Sequence, residues 1–128
     1  MKRIAAHMVC FAPQALYPMS YVELSDDYRL QGVYPLLEEI AGTVFITGAV
    51  LLIPQKQYPS FNEVTAKAAN LINGGQILPL AGLLTGLELV DAPAVGEAYY
   101  VLHLDGLNLS SSEFGTNNRG GNRHIQRL

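Results

Sequence analysis

The sequence is most informative in what it has little of. It holds a single cysteine, Cys10, and no tryptophan. One thiol cannot form an intramolecular disulfide or close a cysteine metal site. Charged side chains make up only 15% of the chain, against about 25% in an average soluble domain. Basic residues are scarcest in the middle: from Phe11 to Asn118 only Arg29, Lys56 and Lys67 stand against all eleven acidic residues. An acidic body lacks the positive face that a phosphate backbone requires, which argues against nucleic-acid binding. The longest apolar stretch, Ile40 to Pro54, is interrupted by Gly42, Thr47 and Gly48 and is too short to span a bilayer. Met1-Lys2-Arg3 has the charge of a signal-peptide start, but the apolar run behind it contains His7 and stops at Pro13. No small-residue cleavage pattern follows, so the expected location is cytoplasmic, with no membrane partner.

What is present suits one compact domain. The chain has 128 residues, 49% of them hydrophobic, enough to bury a core without covalent staples. High apolar content with few charges suggests that part of the surface is covered by another chain, most simply a second copy.

Hydrophobic periodicity reads mostly as strands. Ile4 to Phe11 forms a first one, and Cys10 within it behaves as a small buried hydrophobe. Tyr21 to Leu24 and Tyr28 to Tyr34 form a hairpin about Ser25-Asp26-Asp27, whose aspartates can bond their own downstream backbone. Thr43 to Ile46 and Ala49 to Ile53 are nearly continuous β-branched runs joined at Thr47-Gly48, as expected well inside a sheet. Glu97 to Leu104 alternates, with Tyr100, Leu102 and Leu104 on one face and Tyr99, Val101 and His103 on the other. One helix is expected at about residues 60–73. Ser60-Phe61-Asn62-Glu63 is a capping box, Phe61, Val64, Ala68, Leu71 and Ile72 form an apolar stripe, and Asn73-Gly74-Gly75 supplies the exit. Ile77 to Val90 is apolar but broken by Pro79, Gly82 and Gly86, and carries no assignment. The fold class is therefore α+β and mainly β: a curved, mainly antiparallel β-sandwich or half-open barrel with one well-formed helix. This domain covers residues 1–109, and residues 110–128 form a polar, Gly/Asn-rich, basic C-terminal tail.

Three stretches, in order, carry a family likeness. They are Arg3-Ile4-Ala5-Ala6-His7, the hairpin Tyr21-Val22-Glu23-Leu24 to Arg29-Leu30-Gln31-Gly32-Val33 with Pro35-Leu36, and Ile46-Thr47-Gly48-Ala49-Val50-Leu51-Leu52-Ile53-Pro54. Together they resemble the small β composite domain that flanks the barrel of metal-dependent amidohydrolases. The helix from Ser60 and the strand Val95-Gly96-Glu97-Ala98-Tyr99-Tyr100-Val101-Leu102-His103-Leu104-Asp105 are similar to the elements that close such a chain. The resemblance implies a scaffold rather than an active site. Gln55-Lys56-Gln57-Tyr58 stands where the family places the start of its metal-binding barrel, and nothing between Pro54 and Ser60 could hold that barrel. No catalytic residue of the family carries over, and fold alone does not supply function.

Among residue types that do chemistry, the sharpest cluster is His7, His103 and Asp105. A zinc site needs three or four converging ligands. His7 and His103 could meet if their strands are adjacent, and Asp105 projects from the same face as His103. The competing reading is two half-buried histidines satisfied by backbone or hydroxyl groups. Asp26-Asp27 and Glu38-Glu39 read as solvated pairs. Ser110-Ser111-Ser112 has no His-Asp partner nearby. Gly120-Gly121-Asn122-Arg123 lacks the ending of a phosphate loop. Taken together, the residues point to a non-catalytic binding or assembly module that is homodimeric or pairs with another protein, with no cofactor and no catalytic residue. The alternative is a small enzyme or metal-binding protein built on His7, His103 and Asp105.

Overall fold

The computed structural model describes residues 1–72 and 78–104, together with the backbone of three further short strands at 107–108, 113–114 and 125–127. The fold is α+β and mainly β. Its strands are β1 (Lys2–Ala12), β2 (Ala15–Leu24), β3 (Leu30–Pro35), β4 (Thr43–Pro54), β5 (Leu78–Pro79), β6 (Tyr99–Leu104), β7 (Leu107–Asn108), β8 (Glu113–Phe114) and β9 (Ile125–Arg127). Its helices are α1 (Phe61–Ile72) and α2 (Leu80–Gly86). The main sheet runs β3-β2-β1-β4-β6-β9 and stays open rather than closing into a barrel, while β5, β8 and β7 make a small second sheet. Every neighbouring pair in the main sheet is antiparallel except β1 and β4, which run parallel.

β1 and β2 fold back on each other through Pro13-Gln14, with Ala12 opposite Ala15. Pro18 lies inside β2 opposite Met8. It is tolerated because β3 pairs with β2 only over Ser20–Leu24, so at Pro18 no ladder bond is required on that side. The β2–β3 turn falls at Ser25-Asp26-Asp27 as expected, but Ser25 rather than the aspartates takes the downstream backbone, its hydroxyl accepting from the Arg29 N–H at 3.1 Å. Tyr28 N–H donates to the Ser25 carbonyl at 2.9 Å, Tyr28 takes a φ of 64°, and Asp27 accepts from the Ser25 hydroxyl and the Arg29 guanidinium. The Ser25 hydroxyl, and then Arg29, hold the Asp27 carboxyl below its ordinary range.

Both faces of the main sheet are buried, each under a different cover. On one, Cys10, Ala49, Leu51, Ile53, Leu102 and Leu104 pack under α1 and α2, which contribute Val64, Ala68, Ile72, Leu80, Leu83 and Leu84. Tyrosine hydroxyls tie this layer down: Tyr58 donates to the Leu87 carbonyl at 2.6 Å and Tyr100 to the Tyr58 carbonyl at 3.1 Å. On the other, Ile4, Ala6, Val9, Phe11, Val22, Leu24, Leu30, Val50, Leu52, Tyr99 and Val101 form a second core where the sheet curls over itself. The expected alternation in β6 is present, with Leu102 and Leu104 in the first core and Tyr99 and Val101 in the second. In β1 the alternation slips. Ile4 and Ala6 share a core with Val9 and Phe11, while Met8 and Cys10 face the helices. The slip falls at His7, opposite Met19, which takes a φ of 43° in β2.

Candidate functional site

β4 carries one residue too many for β1. Ala6 is opposite Ile46, but Met8 is opposite Ala49, so Thr47 and Gly48 together face the single residue His7. This is a β-bulge, and a glycine inside an otherwise β-branched strand is its usual mark. Gly48 has a φ of 100°, a conformation that a side chain resists.

A bulge removes a peptide group from the ladder and leaves its N–H and C=O to other partners. Here both partners are histidines. The Gly48 N–H donates to His7 Nδ1 at 3.0 Å, and His103 Nε2 lies 2.8 Å from the Thr47 carbonyl oxygen. These two polar ends belong to the same peptide. Their roles fix the protons: His7 accepts at Nδ1 and so carries its proton on Nε2, whereas His103 donates from Nε2. In a trans peptide the C=O and N–H point in opposite directions, so the two rings bind from opposite sides.

The strand order explains this arrangement. β1 and β6 are not neighbours; β4 runs between them. His7 and His103 thus meet through the Thr47–Gly48 peptide rather than across a shared hollow. Asp105, the third member of the expected cluster, lies outside the described residues, as do His124 and Ser110-Ser111-Ser112. Among the described residues no three of His, Cys, Asp and Glu gather as metal ligands would. Both histidines are partly buried and bonded to this one backbone peptide. A peptide clasped by two imidazoles carries no sequence motif, because it depends on strand order. The glycine interrupting a β-branched run at Thr47-Gly48 was the available signal.

Above the bulge, β4 is an open edge. β6 pairs with it only over Ala49–Pro54, which leaves Thr43–Thr47 with no partner strand on that side among the described residues. Val44 is 58% exposed and Phe45 44% exposed. Being consecutive, they present apolar surface on both faces of the edge. The Phe45 ring stands edge-on to the His7 ring with centroids 5.1 Å apart. Leu37, Met19 and Tyr34 are further exposed apolar side chains on the neighbouring segments. Two hollows flank the edge. One of about 310 Å³ is lined by Ala5, Leu36, Glu39, Ile40, Thr43 and Phe45. The other, about 360 Å³, includes Arg3, Ile4, Gly42, Val44 and Ile46. Cations at its rim are already engaged: Arg3 Nε is 2.8 Å from a Glu23 carboxylate oxygen, and Lys2 Nζ donates to the Tyr28 hydroxyl at 2.7 Å.

Cys10 is fully buried under the helices, and burial pushes its thiol up to about 12. Such a thiol is protonated at neutral pH and is a poor nucleophile. The remaining expected acidic pair, Glu38-Glu39, is exposed just before β4. No helix among the described residues is long and apolar enough to cross a membrane. No protein-family model, curated protein or solved structure matches the chain.

Proposed function

We propose that this chain is a non-catalytic assembly module whose partner is a second copy of itself. The observation that carries the reading is the Thr43–Thr47 edge, unpaired on its β6 side among the described residues, with Val44 and Phe45 exposed on its two faces. An exposed apolar edge strand templates pairing with another chain unless something covers it, and exposed apolar patches mark interaction sites. The low charge of the chain supports the same reading. So does the resemblance to the amidohydrolase composite domain, a scaffold that here has no catalytic barrel.

The use of His7 and His103 as partners of one backbone peptide favours this module over a metal-binding protein or small enzyme. The acidic body disfavours nucleic acid as partner, and the single buried thiol fits a reducing cytoplasm. Static light scattering on the full chain tests the proposal: a mass twice that of the chain is expected, and a chain that remains monomeric at high concentration overturns it.

A further inference from the structure

Resting on that reading, the edge itself specifies how two copies would meet. We infer that two chains pair antiparallel along Thr43–Thr47, with a two-fold axis through Phe45, joining their main sheets edge to edge. A two-fold interface must be self-complementary: if residue i meets j, then j meets i. Thr43-Val44-Phe45-Ile46-Thr47 reads the same in chemical type from either end. Centred on Phe45, the pairing sets Phe45 against itself and Val44 against the partner's Ile46, and brings Thr43 alongside the partner's Thr47 as a side-chain pair, since the Thr43 N–H stays with Ile40 and the Thr47 carbonyl with His103. Thr–Thr, β-branched and aromatic cross-strand pairs are each favourable in antiparallel sheets. A shift of one or two residues in either direction would bring the bulge or Gly42 into the ladder and lose this match.

The backbone is turned the right way. His103, on the β6 side, binds the Thr47 carbonyl, so that carbonyl points toward the open edge. Alternation along a strand then turns the N–H and C=O of Phe45 the same way. Phe45 and its symmetry mate can therefore exchange two hydrogen bonds at the axis.

Hydrogen-bonding polarity agrees with the antiparallel sense. Glu38 and Glu39 are exposed at the Thr43 end, where Glu39 lines the hollow beside Thr43 and Phe45. His7 stands at the Thr47 end and presents its Nε2 proton because its Nδ1 is taken by Gly48. Antiparallel pairing brings the acidic end of each copy to the imidazole end of the other. Parallel pairing would place carboxylates against carboxylates.

Cysteine cross-linking of the full chain tests this register. The Cα atoms of a hydrogen-bonded antiparallel pair lie about 5.5 Å apart, within the range a disulfide spans. Cys10 is fully buried and does not compete. In air, Phe45→Cys is expected to convert to a disulfide-linked dimer, while Val95→Cys, exposed in the segment before β6 and outside the proposed interface, stays uncross-linked under the same conditions. Phe45→Lys is expected to lose the dimer by light scattering while keeping the wild-type circular dichroism spectrum. A wild-type dimer in which Phe45→Cys does not cross-link, or cross-links no faster than Val95→Cys, overturns the register and leaves the assembly reading standing. A folded Phe45→Lys that stays dimeric does the same. A monomeric wild-type chain overturns both.

Discussion

Gly48 is the residue on which the β4 bulge turns. Its φ of 100° is open to glycine at little cost, and a Cβ there would sit 2.9 Å from the Leu104 carbonyl oxygen, a backbone atom that cannot swing aside. Gly48→Ala therefore meets both conformational strain and a clash, and should lower stability by about 2–4 kcal/mol in urea unfolding. His7→Ala attacks the same peptide from the other side by leaving the Gly48 N–H without its acceptor, at a cost of about 1–3 kcal/mol. Because both changes act on one peptide, the double variant should lose less than the sum of the two. Additive losses would show that the histidine and the glycine act independently.

Cys10 gives a second prediction at this scale, and its sign follows from burial. The folded thiol is pushed up to about 12 from an ordinary value near 9. Between those values the unfolded chain releases the proton and the folded chain keeps it, so stability falls as pH rises. The loss begins near pH 9 and reaches at most about 4 kcal/mol by pH 12, from roughly 1.4 kcal/mol per pH unit. Below pH 9 this contribution is fully present. Tyrosines and lysines titrate in the same window, so the comparison is between wild type and Cys10→Ala. The variant's unfolding free energy should fall less steeply over pH 9–11, whatever its absolute stability. Equal slopes would mean that the thiol is reached by solvent.

At the scale of elements, α1 is the part whose start was written most openly, while its expected exit at Asn73-Gly74-Gly75 lies outside the described residues. The Ser60 hydroxyl accepts from the Glu63 N–H at 3.3 Å, satisfying one of the free donors of the first turn. Ser60→Ala should cost about 1 kcal/mol by thermal or urea unfolding, and an unchanged midpoint would deny the cap any role. The stripe that faces the sheet was equally legible: Val64, Ala68 and Ile72 are buried, at the spacing that periodicity predicts. α2 was not legible, for a physical reason. Pro79 occupies the position before its first turn and Gly86 is its last residue, where each is tolerated, but the helix is only seven residues long and helical period cannot be read from so few. What holds α2 is burial of Leu80, Leu83 and Leu84 against the sheet, a tertiary effect. β2 shows the same limit. Its second half was visible as alternating Tyr21 to Leu24, while Pro18 hid the first half, because whether a strand tolerates proline depends on which strands flank it. The candidate site divides similarly. His7 and His103 stood out as residues, but that they would clasp one peptide from opposite sides depends on β4 lying between β1 and β6. Likewise β9 pairs with β6 over Leu102–Leu104, a placement that a polar, Gly-rich approach does not announce.

For the whole molecule, the question is whether the two cores behave as one. They lie on opposite faces of the main sheet and, among the described residues, under different covers: α1 and α2 close one, and β1, β2 and β3 curl over the other, bringing Arg29 to Ala98. They share β4. Leu51 points into the helix-covered core and Leu52, the next residue, into the opposite one, and both are completely buried. Neither core can be lost without releasing the backbone that holds the other, so the fold should unfold in a single transition. Leu51→Ala and Leu52→Ala each remove a fully buried side chain and should each cost about 2–5 kcal/mol. Although they empty different cores, each should move the same transition. Far-ultraviolet circular dichroism, which follows helices and strands together, and near-ultraviolet signal from the tyrosines of both cores should therefore shift together in either variant. If Leu52→Ala unfolded the curled side first and left a helix-covered remnant with its own later transition, the sheet would not be a common spine, and β4 would divide two subdomains.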